Sequence, residues 1–330
     1  MSFWSEKQVL ITGATGFVGF WLTKRLVEEK ARVIVLVRDH DPQTALYHSG
    51  LIQQVTVVSG ALESYETLER ALCEYDVDTV FHLGAQTIVG TAKKAPLITF
   101  EANIRGTYLL LEACRRQQQT VKRIVIASSD KAYGSSPVLP YTENMPLMGT
   151  FPYDVSKSCC DLISQSYFHA YGLPLAIARC GNIFGGGDLN WSRLIPGTIR
   201  SLLKQEAPLI RSDGTFVRDY IYVEDVVNAY LLLAQNLQDK HVQGEAFNFA
   251  PSKPYTVLEV VHLLQSMMGC EYLSPKILNE AKGEIKDQFL TSQKGKKILG
   301  WVPEYSLEQG LQPTIDWYRK LLAAPEYAMC

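Results

Sequence analysis

The first half of the chain alternates short apolar runs with segments whose apolar residues recur at helical spacing. The apolar runs are continuous and rich in β-branched residues, a pattern typical of strands buried on both faces. Because helical segments separate these runs, the order predicts an α/β fold with a parallel, doubly wound sheet. The predicted strands span residues 9–11, 33–37, 55–58, 79–83, 123–127 and 175–179, and the predicted helices span residues 20–29, 67–72, 98–116 and 153–171.

The pattern changes after Cys180, where a glycine-rich stretch precedes shorter and less regular elements. A chain of 330 residues is long for a single compact core. We therefore expect residues 1–180 to form a large domain to which later segments return. Residues 181–330 are expected to form mainly a smaller C-terminal α/β lobe.

Composition excludes several classes of function. The formal net charge is −2, so we expect no nucleic-acid partner. We expect no membrane partner either, because no apolar run is long enough to cross a bilayer and residues 1–7 lack the features of a signal peptide. The seven cysteines lack metal-ligand spacing, which favours a reducing, cytoplasmic location. His82 and His169 are interpreted as core or surface residues, since no cluster of metal ligands accompanies them.

A glycine-rich loop joins the first predicted strand to the first predicted helix. Gly13 permits a tight turn, Gly16 lets the backbone approach a pyrophosphate, and Gly19 allows the helix to pack closely on the sheet. Free N–H groups at the start of the helix then face the anion. This context predicts a Rossmann-type domain with a dinucleotide on the loop, and the alternative is a glycine-rich turn without a ligand. The predicted contacts are Gly13, Thr15, Gly16, Phe17, Val18 and Gly19.

The end of the second predicted strand leaves the type of dinucleotide open. Val37 stands where an acidic residue would mark NAD, and Arg38 and Asp39 follow it. Asp39 could reach a ribose hydroxyl of NAD, whereas Arg38 could pair with the 2′-phosphate of NADP or stack on adenine.

Tyr153 and Lys157 lie four residues apart on a predicted helix and therefore share one face. A nearby ammonium would lower the pKa of the tyrosine, so that it could exchange a proton with a sugar hydroxyl. Alone, this pair could be two amphipathic residues on a helix. Here it follows a strand that ends in Ser128 and Ser129.

These motifs together resemble the extended branch of the short-chain dehydrogenase/reductase superfamily, the NAD-dependent epimerase/dehydratase family. The resemblance extends over the segments 82–86, 103–107, 218–226 and 299–311. It implies a nucleotide-sugar substrate, which the C-terminal lobe would bind, and a homodimer formed through the helices at 98–116 and 153–171. It also implies cofactor contacts at Arg38, Asp39, Leu62, Leu83, Gly84, Ala85, Asn103, Ala127, Tyr153 and Lys157.

The residues after the fifth predicted strand, Asp130 and Lys131, distinguish the chemistry. They resemble the Asp-Lys pair of CDP-glucose 4,6-dehydratases, which some inverting UDP-N-acetylglucosamine dehydratases share. The resemblance implies that Asp130 protonates the departing C6 hydroxyl and that Lys131 removes the C5 proton. Both side chains should then be partly desolvated, because the acid must carry a proton and the base must be neutral. The alternative is an exposed Asp-Lys turn.

The segment after the sixth predicted strand also resembles the CDP-glucose dehydratases. The usual Arg-Pro-Trp of that subgroup is replaced by Arg218-Asp219-Tyr220, which leaves the nucleotide base open. Arg218 is expected to grip the diphosphate through bidentate guanidinium chemistry. The predicted substrate contacts are Gln86, Asn182, Arg193, Leu194, Arg211 and Arg218.

The leading hypothesis is an NAD-dependent nucleotide-sugar 4,6-dehydratase, with Ser129, Asp130, Lys131, Tyr153 and Lys157 as its catalytic residues. NAD is preferred to NADP because a cofactor that is reduced and reoxidised in one cycle needs no external NADPH pool. The second hypothesis is a nucleotide-sugar 4-epimerase, in which Asp130 and Lys131 would have no elimination step. A third, a non-catalytic nucleotide sensor, is disfavoured because Ser129, Tyr153 and Lys157 are all present.

Overall fold

The computed structural model describes residues 2–280 and 284–323. Met1 of the first predicted domain, and residues 281–283 and 324–330 of the second, lie outside the described residues. The strands are β1 Gln8–Thr12, β2 Arg32–Val37, β3 Thr56–Ser59, β4 Thr79–His82, β5 Arg123–Ala127, β6 Leu175–Cys180, β7 Asn182–Phe184, β8 Leu209–Ile210, β9 Val217–Arg218, β10 Tyr220–Tyr222, β11 Ala246–Phe249, β12 Tyr255–Thr256, β13 Lys276–Ile277 and β14 Asp287–Gln288. The helices are α1 Phe17–Glu28, α2 Ala45–His48, α3 Tyr65–Glu74, α4 Val89–Lys94, α5 Pro96–Phe100, α6 Gly106–Arg116, α7 Pro152–Tyr171, α8 Leu194–Leu203, α9 Val223–Gln235, α10 Val257–Met268, α11 Gln293–Leu299 and α12 Leu307–Ala323.

Seven strands form one sheet in the order β11-β6-β5-β4-β1-β2-β3, and every neighbouring pair is parallel. This confirms the predicted doubly wound fold. The strand order reverses between β1 and β4, so the crevice at the carboxyl ends of these strands is the expected ligand site. β11 adds an edge strand from a much later part of the sequence.

Two apolar layers cover the sheet, which explains why its strands are apolar without alternation. On one face, α1 and α9 pack against the strands through residues such as Leu22, Leu26 and Tyr230. On the other face, α3 and α6 contribute residues such as Leu68 and Leu110.

A third apolar cluster lies in the C-terminal half and joins α8, α10 and α12. Short strands surround it in a β10-β7 pair, a β12-β9-β14 sheet and a β13-β8 pair. Because β7 follows β6 after a single residue, Gly181, this lobe begins directly at the carboxyl end of the large sheet. Nowhere in the described ranges is a helix both long and apolar enough to cross a membrane.

The predicted helices differ in detail from the structure: α3 is longer at both ends than residues 67–72, and α7 begins one residue before Tyr153. α1 begins three residues earlier than predicted, because Gly16 already acts as its N-cap. The helix predicted over residues 98–116 begins at Pro96 and contains a π-helical turn over Glu101–Arg105. Such turns are frequent at functional sites, and this one carries Asn103.

A buried ion pair fixes α7 to the sheet. Arg179 on β6 donates to both carboxylate oxygens of Asp161 on α7, at 2.7 and 2.8 Å. The two side chains are almost fully buried, at 3% and 0% exposure. Their desolvation is compensated only while both partners remain. α7 also carries Tyr153 and Lys157. The Arg179–Asp161 ion pair therefore helps to position these predicted catalytic residues relative to the sheet.

Asp161→Ala should lower the free energy of unfolding by about 3–5 kcal/mol, because it leaves the Arg179 guanidinium buried without a counter-charge. Urea denaturation followed by circular dichroism measures this change. The matched control is Asp316→Ala, which removes the exposed pair with Arg319 on α12 and should cost less than about 1 kcal/mol. Equal effects of the two variants would contradict the anchoring role of the buried pair.

Candidate active site

The glycine loop after β1 is packed so closely that side chains are excluded. Gly13 has a left-handed φ of +78°, and a Cβ there would lie 2.7 Å from the amide nitrogen of Gly84. A Cβ on Gly19 would lie 2.1 Å from the carbonyl oxygen of Gly13. The loop backbone therefore touches both the start of α1 and the loop after β4, as a pyrophosphate cradle requires.

The start of α1 suits an anion. Gly16 is its N-cap, no side chain caps it, and its first turn has no acidic residue. The N–H groups that begin a helix have no partner within the helix, so they can bind a phosphate. Thr15 is half-buried beside them, while Phe17 and Val18 pack against the C-terminal apolar cluster.

At the end of β2, Arg38 and Asp39 form an ion pair of 2.6 Å with each other, and both side chains are more than 60% exposed. The pair follows the carboxyl end of β2. Asp39 is therefore an acidic group close to the end of this strand. Leu62 lies between the loop after β4 and α6, because it fills the space next to Gly84 and Gly106. These residues line one side of the crevice.

His82 at the end of β4 connects β1 to α6 through its two ring nitrogens. Its ring hydrogen-bonds the hydroxyl of Thr12 at 2.8 Å through Nδ1 and that of Thr107 at 2.9 Å through Nε2. Burial lowers the pKa of His82 to about 3, so the ring is neutral at physiological pH. The described residues contain no group of three or more side chains suited to a metal ion.

Asn103 holds the loop after β4 against α7. Its Oδ1 accepts from the backbone N–H of Gln86 at 2.7 Å, and its Nδ2 donates to the carbonyl of Gln86 and to the hydroxyl of Ser156. Leu83 and Ala85, in the same loop, are half-buried. The carboxamide of Asn103 is thus occupied by protein partners, and it orients the predicted cofactor-binding backbone.

Ser129, Tyr153 and Lys157 converge after β5, although the first lies on a loop and the others on α7. The hydroxyl of Tyr153 hydrogen-bonds Ser129. The Oγ of Ser129 donates to Oδ1 of Asp130 at 2.9 Å. Nζ of Lys157 donates to the carbonyl of Ala127 at 2.7 Å.

The expected lowering of the Tyr153 pKa is not observed. Burial raises the pKa of Tyr153, and the hydrogen bond with Ser129 opposes this effect only in part. Burial also lowers the pKa of Lys157. The spacing on the helix predicted that Tyr153 and Lys157 share one face, but it carried no information on how deeply they are buried.

Asp130 and Lys131 form a 3-10 turn over Asp130–Tyr133, which Ser129 caps by accepting from the backbone N–H of Lys131 at 3.2 Å. Asp130 is only 3% exposed, so the alternative of an exposed surface turn is wrong. Burial lowers the pKa of Lys131, and the charge of Asp130 opposes it. Nζ of Lys131 donates to Oε1 of Gln288.

The predicted substrate contacts divide between the crevice and the C-terminal lobe. Asn182 on β7 and Arg218 on β9 are in the part of the lobe next to Asp130, and Arg193 caps α8, which begins at Leu194. Arg193 is held by Asp188 at 2.8 Å, and its charge acts on Tyr153. Arg211 is exposed and directly follows β8. β8 pairs only with β13, in a sheet separate from those of β7 and β9.

Arg218 is buried, and its guanidinium is largely engaged by the protein. It donates through Nη1 to the carbonyls of Val217 and Lys286, and through Nη2 to that of Ile285. A guanidinium has five N–H groups, so Nε and one hydrogen of Nη2 have no hydrogen-bond partner among the residues that the structure describes.

Sequence reasoning missed Asp219 and Gln288. Asp219 is 1% exposed, and its Oδ2 accepts from the backbone N–H of Leu290 at 3.0 Å. Burial, aided by the charge of Asp130, raises the pKa of Asp219 to about 7. The motif that singled out Arg218 contained Asp219, so a signal existed. No signal of this kind pointed to Gln288, because it is 157 positions from Lys131 in the sequence.

Several buried polar atoms around this turn have no partner among the residues that the structure describes. Buried polar groups are almost always hydrogen-bonded, so a set of free donors and acceptors indicates a site for a polar ligand. The atoms are Ser128 Oγ, Asp130 Oδ2, Asn182 Nδ2, Asp219 Oδ1 and Gln288 Nε2.

Residues 9–250 match the model of the NAD dependent epimerase/dehydratase family, which confirms the predicted family and its NAD dependence. A CDP-glucose 4,6-dehydratase from Salmonella typhimurium is 28% identical, and the alignment covers 100% of this chain and 95% of that protein. A UDP-glucose 4-epimerase from Halalkalibacterium halodurans is 29% identical, with 94% of this chain and 96% of that protein covered. Dehydratases and epimerases are therefore similar to this chain to the same degree.

Comparison of the fold with solved structures also finds this family. The crystal structure of a dTDP-glucose 4,6-dehydratase from Streptomyces venezuelae, which contains NAD, has a TM-score of 0.86 and 27% identity to this chain. The comparison covers 96% of this chain and 98% of that one.

Gly19→Ala should weaken NAD binding by at least about 10-fold, or about 1.4 kcal/mol, because the added Cβ would push α1 away from the loop. Calorimetric titration of nucleotide-free protein with NAD measures this effect. Gly90→Ala is the control, since Gly90 lies on α4 and a Cβ there would enter open space. An unchanged dissociation constant for Gly19→Ala would contradict the assignment of the cradle.

Proposed function

The chain belongs to the NAD-dependent epimerase/dehydratase family, and we propose that it is a nucleotide-sugar 4,6-dehydratase. This lyase removes water from an NDP-hexose and leaves the 4-keto-6-deoxy sugar. The observation that carries the proposal is the buried Asp130 with the half-buried Lys131 next to it, directly beside Ser129 and Tyr153. An enzyme that only oxidises and reduces C4 has no step for this additional acid and base.

The residues of the crevice fit NAD. The glycine loop and the start of α1 would hold the pyrophosphate, Arg38 and Asp39 would meet the adenosine ribose, and Lys157 would meet the nicotinamide ribose. When bound, NAD supplies a reversible acceptor for the hydrogen at C4 of the sugar. Asp39 gives this site a carboxylate for a ribose hydroxyl, which supports NAD over NADP.

Tyr153 would take the proton of the C4 hydroxyl while C4 is oxidised. Ser129, which contacts both Tyr153 and Asp130, would orient the same hydroxyl. The product of this step is a 4-ketone, which acidifies the hydrogen at C5.

Elimination then follows from Lys131 and Asp130. Nζ of Lys131 would remove the C5 proton, and Oδ2 of Asp130 would give a proton to the C6 oxygen, so that one water leaves and a C5–C6 double bond forms. Burial lowers the pKa of Lys131, which favours the neutral base. Burial and the charge of Asp130 raise the pKa of the neighbouring carboxyl of Asp219 to about 7. Reduction at C6 and protonation at C5 complete the reaction, so the oxidation at C4 is balanced within the sugar.

The diphosphate would lie toward Arg193 and Arg218, whose remaining N–H groups suit phosphate oxygens. Asn182, with its free Nδ2, and Gln86 complete the polar lining. Leu194 would add apolar contact at the start of α8, and Arg211 would act only at the outer edge of the site.

The alternative is a nucleotide-sugar 4-epimerase. It is favoured by the UDP-glucose 4-epimerase that is 29% identical over 94% of this chain. Ser129, Tyr153 and Lys157 would suffice for that reaction, and Asp130 and Lys131 would then contribute only to binding.

Lys131→Ala should block formation of the 4-keto-6-deoxy sugar while C4 oxidation persists, because the variant lacks only the base for C5. Loss of a general base typically costs about 100-fold to 10,000-fold in rate. Product NMR on a panel of nucleotide sugars, with absorbance of reduced NAD in a single turnover, separates the two steps. The control is Lys93→Ala, on α4. Normal dehydration by Lys131→Ala would refute the assigned role.

We also infer a homodimer formed through α5, α6 and α7. Exposed apolar residues on these helices support it: Leu97 is 70% exposed, Ile98 is 59% exposed and Leu162 is 55% exposed. Contiguous exposed apolar patches mark protein–protein interaction sites, and α5 and α6 each pack against α7.

Leu162→Glu should convert the dimer to a monomer, because two carboxylates would be desolvated at the symmetric contact. Light scattering after size-exclusion chromatography measures the mass. Leu209→Glu is the matched control, since Leu209 is 57% exposed on β8 in the other lobe. A monomeric wild type, or an unchanged dimer in Leu162→Glu, would contradict this interface.

A further inference from the structure

Gln288 is a fully buried glutamine beside the proposed base. It lies on β14 opposite Arg218 of β9 and is 0% exposed. Its Oε1 accepts from Nζ of Lys131. Its Nε2 has no partner among the described residues, although leaving an amide donor buried and unpaired is unfavourable.

We propose that Gln288 is a positioning residue for the dehydration, holding Nζ of Lys131 toward C5 through Oε1 and donating from Nε2 to an oxygen of the bound sugar. This inference rests on the proposed function. A carboxamide has the right chemistry for both tasks, because it is neutral and offers one acceptor and two donors.

The neutrality of Gln288 matters because of the other charges that face Lys131. Asp130, Asp154 and Glu284 favour the ammonium form, whereas Arg218 disfavours it. Burial opposes the charged form most strongly. A carboxylate at position 288 would add another negative group in direct contact with Nζ and would favour the protonated, non-basic lysine.

The backbone that carries Gln288 is held independently of its side chain. The guanidinium of Arg218 binds the carbonyls of Ile285 and Lys286, which precede it. The backbone N–H of Leu290, which follows it, donates to Asp219. A substitution of the side chain should therefore leave β14 in place and remove only the contacts to Lys131 and the sugar.

Two variants of the full-length, NAD-loaded protein test the proposal. Gln288→Leu removes both the acceptor and the donor, and a misplaced base should slow dehydration by about 100-fold with C4 oxidation little changed. Gln288→Glu keeps an acceptor for Nζ but favours the ammonium, so the rising, acidic limb of the rate of dehydration should move to higher pH. Product NMR gives dehydration, and single-turnover absorbance of reduced NAD gives C4 oxidation.

The matched control is Gln265→Leu, because Gln265 is also a buried glutamine, on α10, and it donates only to carbonyls of the C-terminal lobe. This variant should keep the wild-type ratio of oxidation to dehydration and the wild-type pH profile, whatever its thermal stability. A Gln288→Leu variant that loses both steps equally has a merely structural defect, which would overturn the proposal.

The outcomes also separate this inference from the proposed function. If the wild type dehydrates its substrate and both Gln288 variants keep its rate and pH profile, Gln288 has no positioning role and the proposed function stands. If the wild type forms only the C4 epimer, the proposed function fails, and the role of Gln288 fails with it because no C5 base is then needed.

Discussion

Burial of ionisable side chains at the carboxyl end of the parallel sheet is the constraint on which this site depends. A charged group leaves water only if a partner replaces the lost solvation. Arg179 and Asp161 pair through two hydrogen bonds of 2.7 and 2.8 Å, and other protein groups add further hydrogen bonds to both side chains. Asp130, Asp219 and Gln288 differ, since a buried atom of each has no partner among the described residues. The buried polar groups thus fall into two sets. The satisfied frame, with the Arg179–Asp161 pair, has its hydrogen bonds within the protein, whereas the unsatisfied set, with Asp130, Asp219 and Gln288, has atoms that a polar ligand would bind.

The frame determines where the unsatisfied set lies. α7 brings Tyr153 and Lys157 to the end of β5, and the Arg179–Asp161 pair fixes its position. On the other side, Asn103 locks the loop after β4 against α7, and neutral His82 bridges β1 and α6. These contacts join β1, the loop after β4, α6 and α7 around the crevice.

The parallel sheet and the glycine loop could be predicted because they depend on local composition: continuous β-branched strands and glycines at fixed spacing. The common helix face of Tyr153 and Lys157 followed from helical spacing, and the resemblance to the family implied that Ser129 lies beside them. Gln288 could not be predicted, because its contact with Lys131 depends on how a two-residue strand of the C-terminal lobe folds back onto β9. The pKa of Tyr153 was expected to fall, whereas burial raises it. Desolvation depends on the whole packed structure and leaves no local pattern in the sequence.

The most direct test follows the hydrogen at C4. A nucleotide sugar that the protein turns over is prepared with deuterium at C4, and the product is examined by NMR and mass spectrometry. If Asp130 and Lys131 catalyse elimination, the product is lighter by one water and carries the deuterium at C6. Deuterium retained at C4 of a product with unchanged mass and inverted C4 would contradict the account and identify the protein as an epimerase.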